Sequence, residues 1–598
     1  MKCILKLHTD SGLIEFKETE VGIKLIEAIN TDHSLNAPCG GRGICGKCRV
    51  KASGKLSEPT ETERGLLSAS DMQNGIRLAC LTTIEGDAEV WLSEEEAKIL
   101  LDGGKEESVG LQPSFTAINV RIPEASLDDQ RSDARRLCEV LGVKNDQLTL
   151  AILKDLPAAL RSADHNVWVV KNERNGQIVR IAAAEPEMYG AAIDIGTTTI
   201  AAYLIDLKTG ETVASRSAMN PQRAYGADVI SRTDYSQKEN GLDTLQKAIA
   251  DKIDEMICDM VAEKGKARED IYHIVCVGNT VMVHLLAGVT PENIAASPFI
   301  PAFTAPVFLN APEIGMVFSN AMLEIGPCVA GYIGADTTAA ALACAMDEYE
   351  GKALLIDIGT NGEIALGGRD GIVCCSAAAG PAFEGAHIRC GSGAVSGAIS
   401  SVKLSEDGEV ALETIGGTEP ASICGSGIVD AVAEMLRVGL IDETGRIDED
   451  EAPEVWGDRL FDSPAGLAFA LTDDKKVFIC QKDIREVQLA KSAIAAGIHI
   501  LLKKSKVGFA NVEKLYLAGG FGNYIDVHNA CMIGLLPAEL EDKTEAIGNA
   551  AGTGARYMTL NTTACGRAED MAYKMEYIEL SSQRDFTELF SENMLFEI

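Results

Sequence analysis

Ala191-Ala192-Ile193-Asp194-Ile195-Gly196-Thr197-Thr198-Thr199-Ile200-Ala201-Ala202 recurs one domain-length further on as Leu354-Leu355-Ile356-Asp357-Ile358-Gly359-Thr360-Asn361-Gly362-Glu363-Ile364-Ala365. Each copy reads as an apolar strand ending in Asp, a tight Ile-Gly-Thr turn and a second strand leading away. The residue types suit phosphate. Glycine allows close backbone approach, and turn N–H groups with threonine hydroxyls donate to anionic oxygens. The aspartate cannot usefully face phosphate alone, but it holds Mg²⁺, usually through water. Asp, Gly and Thr also favour ordinary turns, so a single copy would be ambiguous. Two copies at domain spacing predict facing hairpins that clamp one polyphosphate, with Asp194 and Asp357 at the metal and Gly196, Thr197, Thr198, Thr199, Gly359, Thr360 and Asn361 at the phosphates.

Two Gly-rich turns extend this scheme. Leu515-Tyr516-Leu517-Ala518 is an apolar strand entering a turn at Gly519, Gly520 and Gly522, which can take a purine and ribose against its backbone. Gly425-Ser426-Gly427 precedes an apolar helix over 428–439 and offers N–H groups at a helix N-terminus. Together these residues resemble the acetate and sugar kinase, heat-shock chaperone and actin superfamily: the hairpins match its phosphate motifs, and 517–522 its adenosine motif. The resemblance implies two α/β lobes, each a five-stranded sheet with helices, closing on Mg-ATP. It also implies a carboxylate near the lobe connection. Asp336, in Gly334-Ala335-Asp336-Thr337-Thr338, is that carboxylate by position, although a plain N-cap for the following helix fits it equally.

The amino-terminal segment carries different chemistry. A β-hairpin (2–7 and 13–17 around Ser11-Gly12), a helix over 20–30 and a strand at 87–92 surround Cys39-Gly40-Gly41-Arg42-Gly43-Ile44-Cys45-Gly46-Lys47-Cys48, with Cys80 downstream. Four thiolates suit the two irons of a 2Fe-2S cluster, and the glycines let the backbone fold around its sulfides. Gly41 to Lys47 also spells G-x-x-x-x-G-K, but Cys48 stands where a P-loop needs Ser or Thr. Zinc, the other rival, would prefer two C-x2-C knuckles, and only Cys45 and Cys48 form one. The segment resembles the ferredoxin family in a C-x5-C variant, which implies a β-grasp fold with Cys39, Cys45, Cys48 and Cys80 as ligands.

Composition bounds the rest. The 598 residues make roughly four domains at about 150 residues each. With 54 Lys+Arg against 89 Asp+Glu, the net charge of −35 argues against nucleic acid or anionic lipid as partner. The start lacks the apolar region of a signal peptide, and apolar stretches such as 493–502 fall short of the roughly 20 residues that cross a bilayer. A soluble, cytoplasmic protein is the expectation, in which seventeen cysteines are not a disulfide framework. The expected organisation is α/β and α+β multidomain: a β-grasp ferredoxin-like domain (1–93), an acidic then Gly-rich linker (94–114) with a short helix at 94–102, a small α+β middle domain (115–187) and ATPase lobes at 188–350 and 351–598. In the middle domain, 116–121, 149–153, 167–171 and 178–183 read as strands, and 128–141 and 156–162 as helices; no chemistry is visible there.

Taken whole, the chain resembles the reductive activators of corrinoid proteins, in which a 2Fe-2S domain, a linker, a middle domain and an ATPase of this superfamily are fused. The resemblance implies ATP-dependent transfer of one electron to cob(II)alamin on a corrinoid methyltransferase protein, regenerating cob(I)alamin, with an unidentified low-potential electron donor upstream. It implies a 2Fe-2S cluster and ATP with Mg²⁺ as cofactors, and leaves monomer and homodimer both open. Two readings from other classes stand beside it: a phosphotransferase whose ferredoxin-like domain docks a partner or senses redox state, and a nucleotide-gated binding module without turnover.

Overall fold

Alternation of buried and exposed positions builds the first sheet in the computed structural model, which describes residues 2–8, 14–29, 35, 41, 43, 46–67, 69–92, 110–448, 453–519 and 524–596. Cys39, Cys45, Gly520, Gly522 and the expected helix at 94–102 lie outside these residues. Strand Lys2–His8 pairs antiparallel with Ile14–Glu20 and parallel with Ile84–Trp91. Its odd-numbered Cys3, Leu5 and Leu7 are buried, while Lys2 and Ile4 face out. Arg49–Leu56 and Ile76–Leu78 complete five strands, and helix Leu25–Ile29 covers the apolar face with Leu25, Ile26, Ala28 and Ile29. This crossed order, with a parallel pair at the centre, is the expected β-grasp arrangement.

The fully buried carboxylate of Glu63 organises the turn that carries Cys80. It accepts from Arg77 Nε at 2.8 Å, Arg77 Nη2 at 3.1 Å and the Leu78 N–H at 2.8 Å. Paired and hydrogen-bonded on several sides, it meets the condition under which a buried charge is tolerated.

A three-stranded antiparallel sheet follows, Phe115–Arg121, Asn166–Asn172 and Ile178–Ala182, with helices Asp133–Leu141 and Leu150–Ser162 on one side. Residues 149–153, read above as a strand, are the N-cap and first turn of the second helix. The Thr149 side chain accepts from the Ile152 N–H, and Ile152, Leu156 and Leu160 form one buried stripe. A short apolar run does not distinguish strand from buried helix, and here the i, i+4, i+8 spacing prevails.

Each lobe is built on a six-stranded sheet, where the superfamily resemblance implies five. In the first, Val307–Asn310 adds an antiparallel edge to Met322–Ile325; in the second, Glu576–Tyr577 adds a short parallel edge to Gly371–Ala377. In the central parallel pairs, Tyr189–Ile195 with Ile271–Gly278 and Ala353–Ile358 with Lys514–Ala518, the strands are largely apolar and buried on both faces, with Lys514 and Tyr516 half-buried on the last. The chain crosses between lobes three times, the last crossing returning Glu576–Tyr577 to the second-lobe sheet. Helices Ala550–Leu560 and Thr562–Lys574 follow the second-lobe strands in sequence but bury Ala551, Ala555, Met558, Ala568 and Met571 in the first-lobe core. The carboxyl end packs on helix Gln481–Ser505, whose Gln488 donates to Met594 O at 2.6 Å and Ser492 to Asn593 O at 2.7 Å. Among the described residues, no helix is long and apolar enough to cross a membrane.

Candidate functional site

Both Asp-Ile-Gly-Thr turns open into one cavity of about 580 Å³ between the lobes, lined by Asp194, Gly196 and Thr197–Thr199 on one side and Asp357, Gly359, Thr360 and Asn361 on the other. Hairpin pairing sets which side chains face it. Asp194 lies opposite Ala201, whereas Asp357 lies opposite Glu363. Opposed residues in an antiparallel pair share a face, so the second hairpin presents two carboxylates where the first presents one. Glu363 escaped the motif reading, although its register was accessible: Asp357 and Glu363 are equidistant from Thr360 at the turn.

A Cβ at Gly196 would stand 2.6 Å from Thr199 O, so the first turn has no room for a side chain. Three residues outside the motif hold it. Asn220 Nδ2 donates to Gly196 O at 2.8 Å, the buried Arg232 Nη2 donates to Thr197 O at 2.5 Å, and Asn279 Nδ2 donates to Thr197 Oγ1 at 2.9 Å. Gly519, with φ +103°, lies so close to the second hairpin that a Cβ would come within 2.9 Å of the Asp357 carboxylate. Gly425 and Ser426 line the cavity at the start of helix Gly425–Arg437, while Gly427 stands behind, packed against Ile399, and does not reach it.

Asp336 also lines the cavity. It is not the helix N-cap: Gly334 holds that position, and Asp336 sits in the first turn, accepting from the Thr337 N–H at 2.7 Å. Its side chain therefore reaches the cavity from the first turn. Glu384, in the short turn Pro381–Glu384, bridges the hairpins: Thr198 Oγ1 donates to its Oε2 at 2.8 Å and Thr360 Oγ1 to its Oε1 at 2.9 Å. One carboxylate thus takes a threonine hydroxyl from each hairpin.

Crowding shows in the acidities. Burial, with the charge of Asp336, pushes Asp194 up to about 7, against a hydrogen bond from Asn549. Burial, then Asp336 and Asp194, pushes Asp357 up to about 7. Burial lifts Asp336 to about 6 and Glu363 well above the ordinary range, the latter with help from Asp336 and Asp357. Native carboxyls that hold protons to higher pH than unfolded ones make stability fall as pH rises. The nucleotide-free chain should therefore lose stability progressively between about pH 4 and 7 through these groups, read as a declining urea midpoint; a midpoint that rises across that window would contradict the crowding. Among the described residues, no three His, Cys, Asp or Glu groups stand where they could hold a metal ion directly. An ion here would rest on one or two carboxylates, waters and phosphate oxygens, which is the habit of Mg²⁺.

At the amino-terminal segment, the Cys48 and Cys80 sulfurs are 3.2 Å apart, well beyond a disulfide bond of about 2.05 Å. The Ala79 N–H donates to Cys48 O at 2.9 Å and fixes the two strands side by side. Both cysteines are buried, and Gly41 packs next to Cys80 without a side chain. The residues described here fit an iron–sulfur group; Cys39 and Cys45 lie outside them. Between Cys45 and Cys48, Lys47 reaches across to the second lobe: its Nζ donates to Gly385 O and Gly391 O, each at 2.5 Å, and it lines the cavity between the lobes.

Comparison with known proteins agrees along the chain. Family models for the RACo linker region, the RACo middle region and the C-terminal (ASKHA) domain of RACo match residues 104–188, 189–349 and 351–598. The chain is 31% identical over 585 residues to corrinoid activation enzyme RamQ of Eubacterium limosum, covering 94% of each. It is 25% identical to a [Co(II) methylated amine-specific corrinoid protein] reductase of Methanosarcina barkeri, over 67% of this chain and 76% of that one. A solved reductive activator for corrinoid, iron-sulfur protein superposes with a TM-score of 0.75 at 32% identity, covering 99% and 98% of the two chains. With three family models matched from residue 104 to 598, 31% identity over 94% of the chain and a shared fold over 99% of it, the chain belongs to the RACo family of reductive activators of corrinoid proteins.

Proposed function

We propose that this enzyme uses ATP to drive one-electron reduction of a corrinoid protein, returning Co(II) to the Co(I) state needed for methyl transfer. The observation that carries this reading is the meeting of two chemistries: Lys47 of the cysteine segment sits in the wall of the cavity that Asp194 and Asp357 line. The activities printed for the relatives support the corrinoid protein as partner.

A 2Fe-2S cluster held by Cys39, Cys45, Cys48 and Cys80 would supply one electron at a time when bound. The remaining work belongs to the chain. Asp194 and Asp357 would hold Mg²⁺ through water, the ion neutralising phosphate charge, and Thr198 and Thr360 would turn their hydroxyls from Glu384 to phosphate oxygens. That exchange couples nucleotide to shape, because Glu384 ties the hairpins together only while those hydroxyls are its own. An electron transfer uphill by about 59 mV faces a tenfold unfavourable equilibrium. Nucleotide alters that ratio only by favouring one of two lobe arrangements.

The test mixes anaerobically purified protein with a Co(II) corrinoid protein, a chemical reductant and Mg-ATP, and follows Co(I) absorption. Co(I) forming only with ATP is the expected result. Equal formation without nucleotide, or a stable phosphorylated small molecule instead, would refute the reading.

A further inference from the structure

The cavity between the lobes is poor in positive charge. Of the described residues lining it, six are Asp or Glu, and only Lys47 and Arg223 carry a permanent positive charge. Arg223 is largely buried on the first lobe, with Nη1 3.6 Å from Met219 Sδ. Lys47 comes from the far end of the sequence. Its ammonium is seated by the carbonyls of Gly385 and Gly391, and Gly385 directly follows Glu384, the residue holding the hydroxyls of both phosphate turns. A triphosphate entering here meets a cleft of its own sign, so the cations at its wall decide how tightly it is held. Charge-assisted bonds to phosphate are also the stronger ones.

We propose that Lys47 is a nucleotide-binding residue delivered by the cysteine segment, so that seating of this segment on the second lobe and binding of ATP favour one another. The inference rests on the reading of the cleft as an ATP site. It gives the two halves of the chain a direct link: a segment that leaves the cleft takes a positive charge of the cavity wall with it. By reciprocity, the factor by which seating tightens nucleotide is the factor by which nucleotide tightens seating.

The test measures affinity of the full-length chain for Mg²⁺ with a non-hydrolysable ATP analogue, by calorimetry, in the unaltered protein, Lys47→Gln, Lys47→Arg and Lys51→Gln. Lys51 is a cation of the same segment that stands over Trp91 and away from the cleft. Lys47→Gln should weaken binding about 10-fold, the loss of one charge-assisted bond. Lys47→Arg should recover most of it and Lys51→Gln should match the unaltered chain, with the Lys47 deficit shrinking as salt is raised. Hydrogen exchange gives the reciprocal readout: the analogue should slow exchange of the amides at Cys48–Val50 in the unaltered chain, and fail to do so in Lys47→Gln. Equal affinity in Lys47→Gln would overturn the inference, and tighter binding would do so too, showing that Lys47 plugs the cleft. Failure of the unaltered chain to bind the analogue at all would instead strike the ATP-site reading beneath it.

Discussion

Asp357→Asn should make the nucleotide-free protein more stable and the enzyme worse. Asp357 shares a cross-strand pair with Glu363 and feels Asp336 and Asp194, all of the same sign. Like charges directly opposed across strands are destabilising. Removing one, without changing the side chain's shape, relieves the others; at pH near 8, above the value of about 7 to which Asp194 and Asp357 are pushed, the urea midpoint should rise. The stability loss between about pH 4 and 7 should shrink in the same variant, because one of the groups responsible is gone. Activity should move the opposite way. If Asp357 orients Mg²⁺ through water, losing its charge costs about 10- to 100-fold in metal-dependent ATP-driven Co(I) formation. Opposite signs for stability and activity mark a site held under strain for function. A variant that is less stable and equally active would show that Asp357 is a structural turn residue.

Cys80→Ala should abolish Co(II) reduction while leaving nucleotide binding in place. The Cys48 and Cys80 sulfurs are 3.2 Å apart inside the core of the first sheet, and the turn carrying Cys80 is held independently by Glu63 through Leu78 and Arg77. The small alanine fits that turn without disturbing those bonds, so the fold of the segment should survive. The expected result is loss of the iron–sulfur visible absorption and of iron, with no Co(I) formed at any ATP concentration. Affinity for the ATP analogue should fall no more than it does in Lys47→Gln, since the cleft's own residues are untouched. Retention of full iron and activity would remove Cys80 from the ligand set.

Local chemistry made much of this protein legible from its amino acids alone. The hairpins carrying Asp194 and Asp357 and the strands flanking the cysteine segment rest on alternation, turn residues and spacing, which act over a few positions; the crossed sheet and the cleft position of Asp336 were implied only by family resemblance. Where local signals were degenerate the reading slipped, as at 149–153, where an apolar run served a helix whose buried stripe only the packed partner sheet defines. The edge strands Val307–Asn310 and Glu576–Tyr577 are too short to announce themselves. Only the tertiary structure decided the rest. Asn220, Arg232 and Asn279 converge on one turn from three separate elements; Glu384 ties two lobes; helices Ala550–Leu560 and Thr562–Lys574 return to the first lobe; and Lys47 crosses to Gly385 and Gly391. Such contacts join residues tens to hundreds of positions apart, and neither periodicity nor turn chemistry carries information over that distance; the buried polar groups find their partners only when the lobes and the cysteine segment are packed together.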